Sequence, residues 1–296
     1  TTECVTMTWY QQSTGQNLTI DLNGHTITGT GSASVLKFTR SGNTTSYKWN
    51  IIIDDTSAGK TGTITGGVAS SGGAITVSNV KTNDSLTINA GNFVGNSATG
   101  NGGAIYASVT GYDVVINGGL FENNTATSGG AVYGALVIVN GGTFKNNTAT
   151  STTYGGGVVY SSNTLTVTGG TITGNTAVNG GGIYATASKP VVTLSGGKIY
   201  GNTTGTGGAI RMENASVTTI YGGEIYDNEA ATYGGAIYTP RLDIRHTKGA
   251  VSLSSNSIHQ GVCTDVEGVG QGGAAYIAAA LNISATTSNI TLDSNS

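Results

Sequence analysis

The sequence contains too few cysteines, prolines and charged residues to match several common protein classes. Of 296 residues, 2 are cysteine, 2 are proline and 9% are charged. Cys4 and Cys263 are separated by most of the chain, and a disulfide needs Cα atoms within about 7 Å of each other. We therefore expect no intramolecular disulfide, and we expect stability to come from packing.

Positive charge and long apolar runs are scarce as well. The chain has 12 Lys and Arg residues and a formal net charge of -3, whereas nucleic-acid surfaces need clustered cations to neutralise phosphates. The longest apolar stretch, around residues 274–281, is too short to cross a bilayer, and no signal-peptide pattern opens the chain. We expect no nucleic-acid partner and no membrane span in this segment.

Glycine, in contrast, is abundant, and much of it lies in a short phrase that occurs eight times. The phrase is a Gly-Gly pair, a small residue, an aliphatic residue and usually a tyrosine, and it returns about every 27 residues. A period of this size indicates one structural unit stacked on itself, because so short a unit cannot bury its apolar face alone. The copies begin at Gly72, Gly102, Gly129, Gly156, Gly180, Gly207, Gly234 and Gly272.

One period, residues 102–128, contains three runs that alternate apolar and polar residues: AIYAS, DVVIN and GLFEN. This alternation is typical of a strand with one buried face, and the Gly, Asn and Thr residues between the runs favour turns. No useful length shows the i, i+3, i+4 spacing of a helix. The sequence predicts an all-β fold, a right-handed parallel β-helix solenoid of about 10 to 11 coils with three short strands per coil.

We expect one domain over residues 1–296. Its first coils, 1–71, are less regular, its Gly-Gly coils cover 72–296, and a loop is inserted near 256–271, where the spacing between copies rises to 38 residues. Repetition runs almost to the last residue, and solenoids normally have distinct terminal caps. We therefore expect a fragment of a longer natural protein. We also expect the chain to be a monomer.

A second phrase accompanies the first, an aromatic or aliphatic residue followed three positions later by asparagine. The hydrophobic residue is predicted to point inward and stack on its counterpart, while the asparagine amide satisfies backbone groups at the next corner. The Gly-Gly pair is predicted to serve a corner that needs positive φ or close approach of neighbouring coils. The pairs are Phe93/Asn96, Phe121/Asn124, Phe144/Asn147, Ile172/Asn175, Ile199/Asn202 and Ile225/Asn228.

Together the two phrases resemble the repeat pair of the chlamydial polymorphic membrane proteins, whose passengers are β-helical surface adhesins. GGAI or GGAV stands at five of the copies and Phe-x-x-Asn at three, and the resemblance covers most of residues 72–276. The opening DLNGHTI, residues 21–27, is also similar to the first coil of large repeat-bearing surface proteins of anaerobic Gram-positive bacteria.

These resemblances imply a non-catalytic, adhesin-like module, secreted and attached to the cell surface. The implied partner is a host extracellular protein, such as an immunoglobulin or a matrix protein, or a mucin-type glycan. A purely structural stalk remains an alternative.

A polysaccharide-active enzyme is the other alternative, because pectin-degrading lyases and hydrolases share this fold. Such enzymes need two or three carboxylates in one groove. The adjacent pair Asp54 and Asp55 is expected to begin a turn instead, since neighbours on a strand point to opposite faces. Glu213 and Asp243 are the acids whose pairing would favour an enzyme. The scattered histidines, and repeats without calcium-binding aspartates, predict no metal and no cofactor.

Residues 211–248 contain nine charged residues and four tyrosines, which makes this segment the preferred binding surface. On the strand RLDIR, alternation predicts Arg241, Asp243 and Arg245 on the outer face. The alternative is a solvated face with ion pairs between coils, such as Lys198 over Glu224.

The tyrosine of each Gly-Gly phrase is the second candidate surface. If the aliphatic residue points inward, the tyrosine points outward, giving an exposed file that suits sugar rings or protein partners. The alternative is that the tyrosines stack on one another and stiffen the strands. The candidate ligand-binding residues are Arg211, Glu213, Tyr226, Tyr233, Tyr238, Arg241, Asp243 and Arg245, with Tyr106, Tyr133, Tyr160 and Tyr184 from the file.

Overall fold

The computed structural model describes residues 5–9, 15–40, 48–186, 191–213, 217–245, 250–258, 275–283, 290–293 and 295. Within these segments every regular element is a β-strand, and every strand pair is parallel and joins one coil to the next. The strands form three long ladders, in each of which ten strands from successive coils pair side by side along the axis of the solenoid. The described chain therefore makes ten coils. The predicted all-β parallel β-helix is confirmed.

The first ladder carries the Gly-Gly phrases, and the second follows it around each coil. The first consists of Val5–Trp9, Leu36–Arg40, Ile75–Ser78, Ile105–Ala107, Val132–Val139, Val159–Val167, Ile183–Ala185, Ile210–Met212, Ile237–Ile244 and Ala275–Ile283. The second consists of Gln16–Asp21, Trp49–Asp54, Ser85–Ile88, Asp113–Ile116, the second halves of Val132–Val139, Val159–Val167, Ile237–Ile244 and Ala275–Ile283, and the first halves of Val191–Tyr200 and Val217–Tyr226.

The third ladder carries the residues that precede each asparagine, and a fourth, shorter ladder follows the asparagine. The third consists of Thr26–Thr28, Thr63–Thr65, Asn92–Val94, Leu120–Glu122, Thr143–Lys145, Thr171–Thr173, the second halves of Val191–Tyr200 and Val217–Tyr226, Val251–Ser254 and Ile290–Asp293. The fourth consists of Val68–Ala69, Ser97–Ala98, Thr125–Ala126, Thr148–Ala149, Thr176–Asn179, Thr203–Thr206, Glu229–Tyr233 and Ser257–Ile258.

Inward-pointing residues of the ladders form the core, in files that run along the axis. In the third ladder Phe93, Phe121 and Phe144 are fully buried, with ring centroids 4.7 and 4.8 Å apart. Ile172 and Ile199 continue this file. Stacking of like residues between coils, as predicted, makes one continuous apolar interior.

The asparagines of the second phrase form a buried ladder of their own at the corner after the third ladder. Asn147 is typical: its Oδ1 accepts hydrogen bonds from the backbone N–H and the Nδ2 of Asn124, both at 3.0 Å. Its Nδ2 donates to the carbonyl of Phe121 at 2.9 Å and to Oδ1 of Asn175 at 3.0 Å. The ladder thus satisfies the polar groups of a buried corner. Its described members are Asn96, Asn124, Asn147, Asn175, Asn202, Asn228, Asn256 and Asn295.

The two positions of each Gly-Gly pair require glycine on different structural grounds. Gly129 adopts a φ of 63°, in the left-handed region that L side chains disfavour. Gly130 lies against the next coil, and a Cβ on it would stand 2.2 Å from the carbonyl oxygen of Gly157. The first glycine of the pair is therefore required by its positive φ, and the second by the close approach of the neighbouring coil.

The predicted turn starts one residue later than the pair: Asp54 ends the strand Trp49–Asp54, and Asp55 is the first residue after it. Asp55 is fully buried, and its carboxylate accepts hydrogen bonds from the backbone N–H groups of Gly24 at 2.8 Å and Gly62 at 2.6 Å. Burial raises its pKa, but the adjacent Ser57 hydroxyl and hydrogen bonds from the N–H groups of Gly62, Gly24 and Ser57 outweigh burial and lower the pKa from 3.8 to about 2. The carboxylate therefore ties two early coils together.

This lowered pKa predicts an acid-sensitive turn. Because the folded pKa of Asp55 lies below the unfolded value, its stabilising effect is full above about pH 4 and is lost as the pH falls through about 2. Amide hydrogen exchange should show constant protection factors for Gly24 and Gly62 down to about pH 4 and a decrease below it. Asp55→Asn should remove this pH dependence. A loss of protection that begins above about pH 5 in the parent chain would contradict the assignment.

The described segments contain no helix of the length and apolarity that a membrane span requires. Cys4, Cys263, His246, Lys248 and His259 lie outside the described residues, as does most of the loop expected near 256–271.

Candidate functional site

The tyrosines of the Gly-Gly phrases form a stack on the outer face of the first ladder. Each follows an inward aliphatic residue, such as Ile105, so alternation turns the ring outward. Ring centroids lie 5.4 Å apart for Tyr106/Tyr133, 4.4 Å for Tyr133/Tyr160 and 5.5 Å for Tyr160/Tyr184. This stacking is what the stiffening alternative predicts.

Arg211 continues the stack where the phrase has no tyrosine. Its guanidinium carbon lies 4.7 Å from the ring centroid of Tyr238, and Tyr238 stacks on Tyr276 at 4.8 Å. Tyr233 packs beside these two rings, with centroid distances of 6.4 and 5.1 Å. The candidate residues Arg211, Tyr233 and Tyr238 therefore belong to the same surface as the tyrosine file.

The expectation of a fully exposed file is wrong for two of its members. Tyr160 is 6% exposed and Tyr184 is 2% exposed, whereas Tyr106 and Tyr133 are partly exposed. The cover is Tyr154, whose ring packs edge-on against Tyr160 and Tyr184 at 6.0 and 6.3 Å. Burial raises the pKa of both covered tyrosines; for Tyr184 the nearby Glu213 carboxylate raises the pKa further.

Arg211 is fixed in place by polar contacts on two sides. Its Nε and Nη2 donate to Oε1 of Glu213 at 2.7 and 2.6 Å, and its Nη1 donates to Oδ1 of Asn179 at 2.8 Å. Asn179 in turn donates from Nδ2 to the carbonyl of Thr152 at 3.1 Å. The cation and the carboxylate compensate each other within a rigid network.

The segment between Asn147 and Gly156 is unusually long and lies beside Arg211. Nine positions separate Asn147 from Gly156, whereas five separate Asn175 from Gly180. The extra residues bulge from the coil, and the Ser151 hydroxyl oxygen accepts the backbone N–H groups of residues 153 and 154 at 3.2 and 3.0 Å. This segment, residues 148–155, is called the projection below, and it places Tyr154 over the stack.

Between the projection and Arg211 lies an open groove of about 510 Å³. Its volume falls in the range of small-ligand sites, roughly 300 to 1,000 Å³. Tyr154, half exposed, forms one wall, and the polar side chains of the network form the other. The lining residues are Thr152, Thr153, Tyr154, Asn179, Tyr184, Thr186, Arg211 and Glu213.

Away from this groove, Arg241 and Asp243 lie on the second ladder and Arg245 directly follows it. Arg241 and Arg245 are exposed, as predicted. Asp243 occupies an outer position of the strand, yet it is only 5% exposed, so its expected exposure is wrong. Asn282 of the next coil covers it and donates to its Oδ1 at 2.7 Å, and Arg245 donates to its Oδ2 at 3.1 Å.

Tyr226 lies on the third ladder, where it stacks on Tyr200 with a centroid distance of 4.8 Å. Beside it the predicted ion pair between coils is present, with Lys198 Nζ 3.2 Å from Glu224 Oε2. The residues predicted as one binding surface therefore divide among four ladders, since Tyr233 lies on the fourth, in the strand Glu229–Tyr233. Only the first ladder joins charged and aromatic candidates around a groove.

The sequence interpretation missed the groove residues of the projection, Asn179 and Thr186. The signal that could have found them is the distance from Asn147 to the following Gly-Gly pair, which is the longest such distance among residues 72–258. Insertions in solenoids become loops and often carry recognition.

Carboxylates do not converge in this groove. Glu213 is the one acid among its lining residues, and Asp243 is on the second ladder. Among the side chains that the structure describes, no group of three or more His, Cys, Asp or Glu is arranged to hold a metal ion. The groove thus offers hydrogen-bonding groups and aromatic faces rather than an acid pair.

Comparison with known proteins finds a similarity over two short segments of the chain. A family model described as the Chlamydia polymorphic membrane protein repeat matches residues 91–108 and 118–135. Each matched segment runs from the third ladder of one coil to the first ladder of the next, and contains a Phe-x-x-Asn phrase and a Gly-Gly phrase. Neither the curated proteins nor the solved structures that were searched contain a match.

Proposed function

We propose that this chain is a non-catalytic, adhesin-like module of a bacterial surface protein, and that it binds a host molecule through the outer face of the first ladder. The observation that carries this proposal is the stack from Tyr106 to Tyr276, interrupted by Arg211 and flanked by a polar groove. Aromatic and arginine side chains held on a rigid scaffold are the groups that dominate binding hot spots.

The matched repeat supports a surface location, since its family is named for membrane proteins. On this proposal the protein is secreted and attached to the cell surface, and its ligand is a host extracellular protein, such as an immunoglobulin or a matrix protein, or a mucin-type glycan. The DLNGHTI segment, residues 21–27, leads us to favour an anaerobic Gram-positive source.

The enzyme alternative receives less support from the geometry. An inverting glycosidase places its two carboxyl groups about 6.5 to 9.5 Å apart across one groove. The groove here has Glu213, whose carboxylate is held by Arg211, as its single acid. If the chain were an enzyme nonetheless, Glu213→Gln or Asp243→Asn should abolish turnover.

A binding panel tests the proposed function. The purified chain is presented with mucins, matrix proteins, immunoglobulins and a glycan array, and retention is measured by surface plasmon resonance. We expect at least one ligand, and Arg211→Ala and Tyr238→Ala should each weaken its binding about tenfold, equivalent to about 1.4 kcal/mol. Both residues lie in one stack, so their effects should not be additive.

Lys145→Ala is the matched control, because Lys145 pairs with Glu122 at 2.9 Å on the third ladder and is 46% exposed. It should leave affinity unchanged within about twofold. A chain that cleaves a polysaccharide and binds no member of the panel would contradict the proposal. Equal binding by the parent and both stack variants would mean that the ligand contacts another face, and absence of binding by the parent chain would favour the stalk.

A further inference from the structure

The groove beside Arg211 has features that narrow the chemistry of its ligand. Its polar network is preformed: Asn179 bridges the Thr152 carbonyl and the Arg211 guanidinium, and is itself 6% exposed. The projection is held by the Ser151 hydroxyl. A ligand entering this groove therefore meets groups that need little reordering, which favours binding.

Charge is the second feature. Arg211 is the one cation among the lining residues and Glu213 the one anion, and the two are 2.6 Å apart. A site for an acidic ligand presents cations whose charge is not already matched, because the anion must recover the hydration that it loses. The groove favours an uncharged ligand.

The third feature is the pairing of an aromatic wall with hydroxyl groups. Tyr154 is 49% exposed, and its ring is braced edge-on by Tyr160 and Tyr184. Thr152 and Thr153 beside it are exposed. A pyranose ring has a face of C–H bonds that packs on the negative face of an aromatic ring, and a rim of hydroxyls that need hydrogen-bond partners.

We propose that this groove binds a neutral pyranose sugar, on the order of one or two rings long, with Tyr154 packed against the sugar face and the side chains of Thr152, Thr153 and the Arg211–Glu213 pair bonded to its hydroxyls. This inference rests on the proposed function and narrows it to one ligand class at one place. Sialic acids, sulfated sugars and protein ligands are the competing occupants.

Titration of the intact chain with methyl β-galactoside, methyl N-acetyl-β-glucosaminide and N-acetylneuraminic acid, followed by NMR, tests the proposal. At least one neutral glycoside should bind with a Kd on the order of 1 mM, as expected for a single sugar in an open groove. N-Acetylneuraminic acid should bind at least tenfold more weakly. Since no net charge is involved, the neutral affinity should change less than about twofold between about 0.05 and about 0.5 M salt.

Tyr154→Ala should weaken neutral-sugar binding at least tenfold, whereas Tyr154→Phe should retain it within about threefold, because the ring face is kept. Thr153→Val offers a second exposed variant, with an expected loss of about threefold to tenfold for a hydrogen bond. Tyr200→Ala, on the third ladder, is the matched control and should have no effect. Thermal melting identifies any variant that fails to fold.

Preferential binding of N-acetylneuraminic acid, or equal neutral-sugar binding by Tyr154→Ala, would overturn the assignment. Absence of sugar binding together with capture of a protein from the binding panel would overturn this inference and leave the proposed function intact. Absence of any ligand in both experiments would overturn both.

Discussion

Asn147→Ala is expected to lower the free energy of unfolding by about 4 kcal/mol, although the side chain is small and carries no charge. Alanine would remove the acceptor of two hydrogen bonds from Asn124 and the donor to the Phe121 carbonyl. Each buried polar group left without a partner costs about 1 to 3 kcal/mol. The corner is 0% exposed at Asn124 and Asn147, so water cannot replace the lost amide.

A matched control lies on the surface of the same coils. Asn117 also belongs to a file of amides linked between coils, donating to Oδ1 of Asn89 at 3.0 Å and accepting from Nδ2 of Asn140 at 2.9 Å. It is exposed, so Asn117→Ala should cost less than about 0.5 kcal/mol. The two substitutions remove the same atoms, but Asn147 is buried and bonds backbone groups of Asn124 and Phe121, whereas Asn117 is exposed and bonds only the side-chain amides of Asn89 and Asn140.

Urea denaturation followed by circular dichroism gives the two free energies, and hydrogen exchange locates the damage. Because a solenoid is stabilised by contacts between neighbouring units, the loss of protection should be greatest in the coils around residues 124 and 147. Equal costs for the buried and the exposed asparagine would contradict a structural role for the buried ladder.

The fold was predictable because its determinants repeat. An aromatic or aliphatic residue and an asparagine three positions later, Phe121 and Asn124 in one coil, recur in successive coils from Phe93 onward, so a constant function could be inferred for each, and the structure agrees. The fourth ladder was not predicted, since most of its strands, such as Thr125–Ala126, have two residues and cannot display alternation. Periodicity predicts the strands that the coils share when these are long enough to alternate, and it does not predict strands of two residues.

The site was harder to predict because it depends on departures from the repeat. Alternation correctly placed Tyr184 and Asp243 on outer faces, but their burial is decided by residues of other coils, Tyr154 and Asn282. These covering contacts come from about 30 to 39 positions away and have no signature in a single strand. The unusual spacing before Gly156 indicated an insertion, but the sequence did not show that the inserted residues pack over Tyr160 and Tyr184.

Gly130→Ala should lower the free energy of unfolding by at least about 3 kcal/mol, because it disrupts the β-helix locally. This is expected even though alanine normally suits strands better than glycine does. A Cβ at this position would lie 2.2 Å from the Gly157 carbonyl oxygen and 2.7 Å from the Thr148 carbonyl oxygen. Both atoms are backbone, so relief requires neighbouring coils to move apart. That movement would lengthen the hydrogen bond from Gly130 N–H to the Gly156 carbonyl, now 2.9 Å.

Gly59→Ala is the control for the intrinsic effect of the substitution. Gly59 is exposed, its φ is not positive, and an added Cβ would meet only the Thr61 methyl group at 3.3 Å. We expect a change within about 0.5 kcal/mol, of either sign. Denaturant titration of both variants measures the difference, and a Gly130→Ala chain as stable as Gly59→Ala would contradict the close approach. Such contacts recur at the second glycine of successive pairs, including Gly103 and Gly157, so this glycine fixes how closely the coils stack. The spacing of the tyrosine stack, and of any ligand face built on it, then follows from the backbone.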